Sequence, residues 1–394
     1  MRIESVGAAL RSSISDVLDA VPDRPQGPVA LAKRFNIDKV LASRVLKAMR
    51  SPDAMSVMHR APGPEPLRRL LRAAGRHGVE RPTIEIAEEA VRRFESLIRD
   101  ELGDRGALDA IVAAWVPEAR REFEVRRKQA AFKAMSQLKG AQAEAILATA
   151  IIHPSDDGKN LDLVWLTGLF GLHRLTPNAG IKVATRRMGP KPADREPRTL
   201  TGEPLGDYSD AILAPFSSDP PPSFDVHRVG EVVHYTLAEP GFGPASAVDV
   251  VLGEANFGEM RRYIGAGEDR KGFVFAEASV PARVLQFDAI VHEDVYPDAR
   301  PELALYDTAF EGVANVNDRS RDIDRFDMLE TIEPLGRGVE RLGSSAVPRY
   351  GELIRFACDA MGWNRAAFRT HRALIDHPVY GSQIAMCFDP PRRD

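Results

Sequence analysis

Apolar residues recur at helical spacing through the first 140 residues of the chain. In the first segment Val6, Leu10, Ile14 and Val17 lie three or four positions apart, so the pattern predicts an amphipathic helix over residues 3–20. The same spacing predicts further helices, at residues 29–35, 38–50, 67–76, 83–102, 107–115 and 118–139. This part of the protein is therefore expected to be helical.

The pattern changes near residue 142, where runs of β-branched and aromatic residues replace helical spacing. Alternating or continuous apolar segments predict strands, at residues 143–152, 161–172, 180–188, 231–238, 246–253, 271–280 and 282–295. A helix is predicted over residues 348–361, and two strands, 368–376 and 381–388, are expected to form a final hairpin. This second part of the protein is therefore expected to be rich in β structure.

These patterns predict an α+β protein in three parts. Residues 1–80 are expected to form a three-helix module, and residues 81–141 a helical linker or dimerisation region. Residues 142–394 are expected to form a β-rich effector or ligand-binding domain of one or two subdomains, with the late helix and the hairpin at its end. A chain of 394 residues is long enough for such a division.

Charge is distributed unevenly along the chain, although the net charge is only −4. Residues 1–76 carry 14 basic and 7 acidic side chains, whereas residues 151–394 carry 27 basic and 37 acidic ones. A basic module at one end of an acidic protein is typical of a chain that meets a polyanion at that end. The alternative, a chance excess on a solvated surface, stays open at this point.

The two cysteines, Cys358 and Cys387, exclude a disulfide framework and a four-thiolate zinc site, and a reducing compartment fits such sparse use. Residues 1–13 include Glu4 and have no apolar core of the length of a secretory signal. The longest apolar stretches are shorter than the 18 to 20 residues, roughly, that a membrane span needs. We therefore expect a cytoplasmic protein without a membrane partner.

The most informative segment is Leu31–Met49. Ala32 is small enough for a second helix to cross the first, and Asn36 tolerates the left-handed conformation that a sharp turn needs. Ile37 can fill the turn with an apolar side chain, and the carboxylate of Asp38 can cap the second helix. In that second helix the buried stripe is predicted to consist of Ala42, Val45, Leu46 and Met49.

This arrangement resembles the helix-turn-helix of bacterial transcription regulators, over about residues 3–76 when flanking helices are included. The resemblance implies that double-stranded DNA is the partner and that the second helix enters the major groove. Lys39, Ser43 and Arg44 would then face the groove. Three further basic residues would contact phosphates: Lys33, Arg34 and Lys47.

Two features near this motif leave its role open. Val40 and Leu41 stand on the predicted outer face, where they would touch thymine methyl groups or form a docking surface for a protein. Residues 51–66 are predicted to be a loop or short strand pair, and the alternation of Met55, Val57 and His59 fits one strand of a winged helix. In that case His59 and Arg60 would lie near the phosphates.

The remaining reactive residue types form no convincing catalytic or metal-binding pattern. His292, Glu293 and Asp294 are consecutive at the end of a strand, so their side chains alternate between its two faces. An acidic segment at residues 317–327 lacks the glycine and glutamate of a calcium loop and is interleaved with arginines. We therefore expect no metal, no cofactor and no enzymatic activity.

Aromatic residues are scattered through the β-rich part of the chain, and packing in the core explains most of them. The alternative is that some line a pocket for a small-molecule ligand, which would suit a sensing domain. The residues concerned are Trp165, Phe170, Tyr235, Phe273, Phe275, Phe287 and Trp363.

Three functions are compatible with these residues. The first is a DNA-binding transcriptional regulator that acts as a homodimer, because one small basic module binds DNA weakly and two-fold symmetry is the usual remedy. The second is an interaction or assembly protein whose helix-turn-helix is a docking surface. The third is an enzyme with an unrecognised site in the β-rich part. The coincidence of the basic excess with the helix-turn-helix favours the first.

Overall fold

A computed structural model describes residues 2–22, 27–187, 196–238, 241–297 and 300–393. The chain folds as two compact units, residues 1–126 and 127–394, and the boundary at Arg126 divides the predicted middle region. The first unit is helical and the second is rich in strands, which confirms the predicted α+β class. Within the described ranges, no helix has both the length and the apolar character needed to cross a membrane.

The helices of the first unit follow one another with short connections. They are α1 Arg2–Asp19, α2 Gly27–Phe35, α3 Lys39–Met49, α4 Ala54–Arg60, α5 Pro64–Arg76, α6 Arg81–Ser96 and α7 Arg105–Ala113, and α8 Pro117–Lys139 continues into the second unit. A π-helical turn, Leu97–Glu101, extends α6. All the predicted helices of this region are present, and α4 is an addition.

Helix α1 lies at the centre of the helical unit and packs against α3, α4 and α6. Its side chains Leu10, Ile14 and Val17 are fully buried, as the spacing predicts. Gly7 lets α4 approach closely, since a Cβ atom at this position would lie 2.5 Å from the carbonyl oxygen of Ala54. The backbones of α1 and α4 are therefore in direct contact at this glycine.

The predicted winged helix is wrong at residues 54–60, because this segment is helix α4 rather than a strand. Asp53 caps it by accepting a hydrogen bond from the backbone nitrogen of Ser56 at 2.8 Å, and the Ser56 hydroxyl donates to the same carboxylate at 2.7 Å. The four consecutive residues Met55–Met58 are all buried. A strand with one solvated face cannot bury successive residues, and a short helix packed on several sides can.

In the residues that the structure describes, the second unit contains three sheets, the C-terminal part of α8 and one further α-helix. The strands are β1 Ala141–Pro154, β2 Asn160–Arg174, β3 Lys182–Arg187, β4 Phe224–Val229, β5 Val232–Leu237, β6 Val248–Arg261, β7 Gly272–Glu277, β8 Ala282–His292, β9 Glu302–Asp307, β10 Glu333–Arg337, β11 Phe368–Asp376 and β12 Ser382–Phe388. Helix α9, Tyr350–Ala360, precedes β11. The predicted strands are present, and β4, β9 and β10 were not predicted.

The main sheet has six strands in the order β10-β11-β8-β1-β2-β6, and the smaller sheets have the orders β7-β12-β9 and β3-β5-β4. Strand β1 is central, antiparallel to β2 and parallel to β8. Apolar side chains cover both faces of the main sheet, and α9 packs on one of them through Leu353, Ile354 and Ala357. Continuous apolar runs such as residues 145–152 therefore reflect a strand that is buried on both sides.

A buried polar network lies between α9 and the main sheet. The carboxylate of Asp288, on β8, is fully buried and accepts hydrogen bonds from Arg372 on β11 at 2.9 and 2.7 Å. Tyr350, at the start of α9, donates its hydroxyl to the same carboxylate. Burial and the neighbouring carboxylate raise the pKa of Tyr350 well above its ordinary value, so the hydroxyl keeps its proton and remains a donor.

The two last strands exist, but the predicted hairpin is wrong because they do not pair with each other. Strand β11 joins the main sheet between β8 and β10, whereas β12 is the middle strand of the sheet with β7 and β9. Every residue of β12 is buried. A two-stranded hairpin cannot bury a strand in this way, and long-range pairing on both sides does so.

We expect Gly7→Ala to lower the free energy of unfolding of the helical unit by about 1 to 3 kcal/mol, because the new methyl group would overlap the backbone of α4. Hydrogen exchange of α1 and α4 amides, followed by mass spectrometry, measures this loss. Gly75→Ala in α5 is the matched control, since no atom lies within 4 Å of the position that its methyl group would take. Equal protection in the two variants would contradict the close contact.

Candidate nucleic-acid interface

The turn between α2 and α3 has the geometry that its residues predict. Asn36 adopts a left-handed conformation with φ of 50°, which confirms its predicted place in the turn. The backbone nitrogen of Ile37 donates to the carbonyl oxygen of Ala32 at 3.1 Å, and the Ile37 side chain packs against the helical core. The turn is therefore closed by a backbone hydrogen bond and filled by one apolar side chain.

Asp38 begins α3 as predicted. Its backbone is extended, and its Oδ1 atom accepts hydrogen bonds from the backbone nitrogens of Val40 at 2.6 Å and Leu41 at 3.3 Å. These are two of the amide groups that have no partner within a helix at its N-terminus. The first turn of α3 is therefore held in place by a side chain that directly precedes it.

Helix α3 has one buried and one exposed face. Ala42, Val45 and Ala48 are fully buried. The side chains of Leu46 and Met49 are partly buried against the same core. The buried stripe was therefore predicted correctly, with Ala48 added to it.

The outer face of α3 consists of exposed Lys39, Val40, Arg44 and Lys47, with partly exposed Ser43 among them. Leu41, also predicted on this face, has the same intermediate exposure as Ser43, and its side chain packs partly against the helical core. Val40 alone is an exposed apolar residue there, at 65% of its full accessibility. Val40 is therefore the main apolar side chain that this face exposes.

Most basic side chains of this surface have no hydrogen-bond or ion-pair partner in the described part of the chain. Lys33 and Arg34 are exposed in the last turn of α2. The side chains of Lys33, Lys39, Arg44 and Lys47 form no hydrogen bond or ion pair with any residue in the described part of the chain. Elsewhere in the same unit many arginines are paired with glutamates, as Arg81 is with Glu85. The lysines and the arginine of the outer face are thus available to an external anion.

A cleft of about 850 Å³ opens beside the C-terminal part of α3. Arg44 and Lys47 line it together with Arg60 at the end of α4. Arg105 and Arg126 add two more cations, and Asp109 and Glu122 are its acidic residues. The cleft is basic in balance and extends the positive outer face of α3.

His59 also lines this cleft, but its position differs from the predicted one. Its side chain is only 7% exposed, and Nε2 lies 3.6 Å from a carboxylate oxygen of Glu122. Burial lowers the pKa of His59 below its ordinary value, although Glu122 acts in the opposite direction. His59 is therefore a neutral, shielded side chain near pH 7 rather than an exposed cation. Arg60 remains exposed and donates to Ser51 Oγ at 3.4 Å.

Arg105 was missed by the sequence patterns. It donates from Nη2 to the carbonyl oxygens of Met58 at 2.8 Å and His59 at 3.1 Å, and from Nε to Asp109 at 2.9 Å. These carbonyls belong to the last turn of α4, whose C-terminal end favours a cation. Arg105 thus fixes α4 at the cleft, and only the folded chain brings these residues together.

The histidines, cysteines and acidic residues of the β-rich unit do not form a recognisable catalytic or metal-binding arrangement in the described residues. Among the residues that the structure describes, no three histidine, cysteine, aspartate or glutamate side chains converge as metal ligands. His292 packs edge-on against His153, whose ring in turn stacks on Trp363 at 4.7 Å. Both cysteines are buried, and burial raises the pKa of Cys358 to about 12 and that of Cys387 to about 11. Neither thiol is therefore an activated nucleophile.

Comparison of the chain with models of protein families, with curated proteins and with solved structures gives no match. The resemblance to helix-turn-helix regulators therefore depends on the residues of the motif and on the geometry of α2 and α3. The roles predicted for Lys33, Arg34, Lys39, Ser43, Arg44, Lys47 and Arg60 toward DNA stay predictions.

The lowered pKa of His59 makes the helical unit sensitive to acid. The unfolded chain takes up the proton near pH 6.5, whereas the folded state resists it, so stability falls as the pH drops below that value. We expect His59→Gln to lose less protection of α4 amides than the wild type between pH 7.5 and pH 5.5. Hydrogen exchange, compared between the two proteins at each pH, measures the difference. An identical loss in both would contradict the buried, neutral state of His59.

Proposed function

We propose that this chain is a cytoplasmic DNA-binding regulator of transcription whose helix α3 enters the major groove of double-stranded DNA. The observation that carries the proposal is the outer face of α3. It presents Lys39, Arg44 and Lys47 without intramolecular partners among the described residues, on a helix whose opposite face is buried. On a helix face that only contacts solvent, basic side chains commonly pair with acidic ones three or four positions away, as they do on α6.

The dimensions of α3 fit this role. An α-helix with side chains is roughly 10–12 Å wide, and the major groove of DNA is about 12 Å wide. Lys39 and Lys47 are eight positions apart, which at roughly 1.5 Å per residue is about 12 Å along the axis. At roughly 3.4 Å per base step, the outer face spans three to four steps. One such helix reads a short half-site.

The side chains divide into two roles. Lys39, Ser43 and Arg44 stand in the first half of α3, where helix-turn-helix proteins contact base edges, and arginine suits the O6 and N7 atoms of guanine. Exposed Val40 would touch a thymine methyl group. Lys33, Arg34, Lys47 and Arg60 would contact phosphates, which fix the register but carry no sequence information. His59 is left out of this set because it is shielded and neutral.

The distribution of charge supports the same end of the chain. The excess of basic residues is confined to residues 1–76, and residues 151–394 are acidic in balance. DNA attracts the first segment and repels the second. We therefore propose that the β-rich unit does not contact DNA and serves in ligand sensing or in assembly of a homodimer. Two modules per dimer would supply the affinity that a single small module lacks.

The proposal predicts that Lys39→Ala combined with Arg44→Ala weakens binding to a preferred duplex by about 30-fold or more, because each side chain contributes on the order of 1–3 kcal/mol at a base edge and about 1.4 kcal/mol corresponds to a factor of ten. The duplex is obtained by selecting bound members from a pool with random sequence, and affinity is measured by fluorescence anisotropy. Arg81→Ala combined with Arg92→Ala is the matched control, since it removes the same charge from exposed positions of α6.

Equal losses in the two double variants would mean that binding is a property of net charge and not of α3. Failure of the wild type to bind any duplex at low salt would overturn the proposal. In that case Val40→Asp tests the alternative, a protein-docking surface, because Val40 is the exposed apolar residue of this face. Loss of a protein partner in that variant alone would favour docking.

A further inference from the structure

The β-rich unit contains a cavity that brings together three of its scattered aromatic residues. The cavity has a volume of about 280 Å³ and is lined by Trp165 of β2, by Met260 near the end of β6, and by Phe273 and Phe275 of β7. Ile264 and Leu163 complete much of its apolar wall. The volume corresponds to about nine water molecules at ~30 Å³ each, which is room for one aromatic ring with a short substituent.

The aromatic residues at this cavity pack against the core but are less buried than other aromatic residues of the same unit. Trp165, Phe273 and Phe275 are each only partly buried, whereas Phe287, Phe368 and Phe388 of the same unit are at most 1% exposed. The ring centroids of Phe273 and Phe275 are 6.4 Å apart, with the rings tilted by 32°, so the two rings contact each other along one face of β7. Each of these three residues keeps part of its surface exposed, and all three line the cavity.

An unpaired strand edge forms part of the cavity wall. Strand β7 is at the edge of its sheet and pairs with β12 alone among the described strands. Three successive residues, Phe273, Val274 and Phe275, line the cavity. Because successive side chains point to opposite faces of a strand, the cavity must follow the edge of β7 rather than one of its faces.

The register shows which backbone groups point to this edge. Ala278 donates its backbone N–H to the carbonyl oxygen of Ser382 at 2.9 Å, in line with the antiparallel register of β7 and β12. Hydrogen-bonding direction alternates along an antiparallel strand, so the N–H and C=O groups of Phe273 and Phe275 point away from β12. They are directed to the open edge, where a polar ligand atom can meet them.

One basic side chain at the cavity lacks a partner in the described part of the chain. Arg261 is paired with Glu268, and Lys271 is paired with Glu302 and Asp389. Arg270 is exposed and forms no hydrogen bond or ion pair within the described ranges. The cavity lining includes one acid, Glu259. Because Arg261 and Lys271 are already paired with acidic residues, Arg270 is the cation of the lining that is available to an anionic group.

We propose that this cavity binds a single-ring aromatic carboxylate. The ring lies against Trp165, Met260 and the phenylalanines of β7, and the carboxylate meets the guanidinium of Arg270 and the free N–H groups of the β7 edge. A ligand site of this kind combines an apolar wall with a few converging polar groups. The inference concerns the β-rich unit by itself, so it does not depend on DNA binding by α3.

Isothermal titration calorimetry of the full chain with benzoate and phenylacetate tests the proposal in the absence of DNA. We expect at least one of them to bind with a Kd below about 1 mM and to change tryptophan fluorescence. Benzylamine, which keeps the ring and reverses the charge, and acetate, which keeps the charge without the ring, should bind at least tenfold more weakly. Comparable binding of benzylamine would overturn the assignment to an anion.

Variants locate the site. Arg270→Gln should weaken benzoate or phenylacetate binding about tenfold, whereas Arg228→Gln, at an exposed position of β4, should leave it unchanged. Trp165→Phe should keep most of the heat of binding and abolish the fluorescence change, which separates this site from Trp115 and Trp363. Unaltered binding by Arg270→Gln, or a fluorescence change that survives Trp165→Phe, would overturn the proposal. Absence of binding by every carboxylate would do so as well.

Discussion

The orientation of α3 is set at the turn that follows Phe35, and the rest of the proposed interface depends on it. Asn36 turns the backbone through the left-handed region, Ile37 fills the turn, and Asp38 caps the first amides of α3. Because the cap fixes where the helix begins, it also fixes which positions face the core. Ala42, Val45 and Ala48 point inward, so Lys39, Arg44 and Lys47 must point outward. The turn and the cap thus place three basic side chains of α3 together on its exposed face.

The β-rich unit is organised by a different constraint, the burial of a charged group. Asp288 has no exposed surface; Arg372 balances the charge of its carboxylate, and the hydroxyl of Tyr350 donates a hydrogen bond to it. A buried charge without its partners is strongly unfavourable, so α9 and strands β8 and β11 must keep one arrangement. This rigid sheet also positions β2 and β6, which supply one wall of the aromatic cavity.

The sequence predicts features whose signals are local and misses those that arise from distant contacts. Asn36 and Asp38 act on their immediate neighbours, so the turn could be predicted from spacing alone. Helix α4 was missed because proline and glycine dominate its surroundings, although Asp53 and Ser56 carry a capping signal. The prediction of a final hairpin was wrong because β11 and β12, although neighbours along the chain, pair with strands that are distant in sequence. Likewise, the shielding of His59 and the convergence of Trp165 with Phe273 exist only in the folded chain.

The salt dependence of duplex binding shows most directly whether α3 presents a surface for DNA. Each phosphate contact releases counterions and contributes about −0.9 to the slope of log affinity against log salt concentration. With phosphate contacts from Lys33, Arg34, Lys47 and Arg60, we expect a slope of about −3.6 or steeper per bound module. Fluorescence anisotropy measures this slope when the wild type is titrated onto a selected duplex at salt concentrations from roughly 50 to 200 mM. A flat dependence, or no binding at the lowest salt, would contradict DNA recognition by α3.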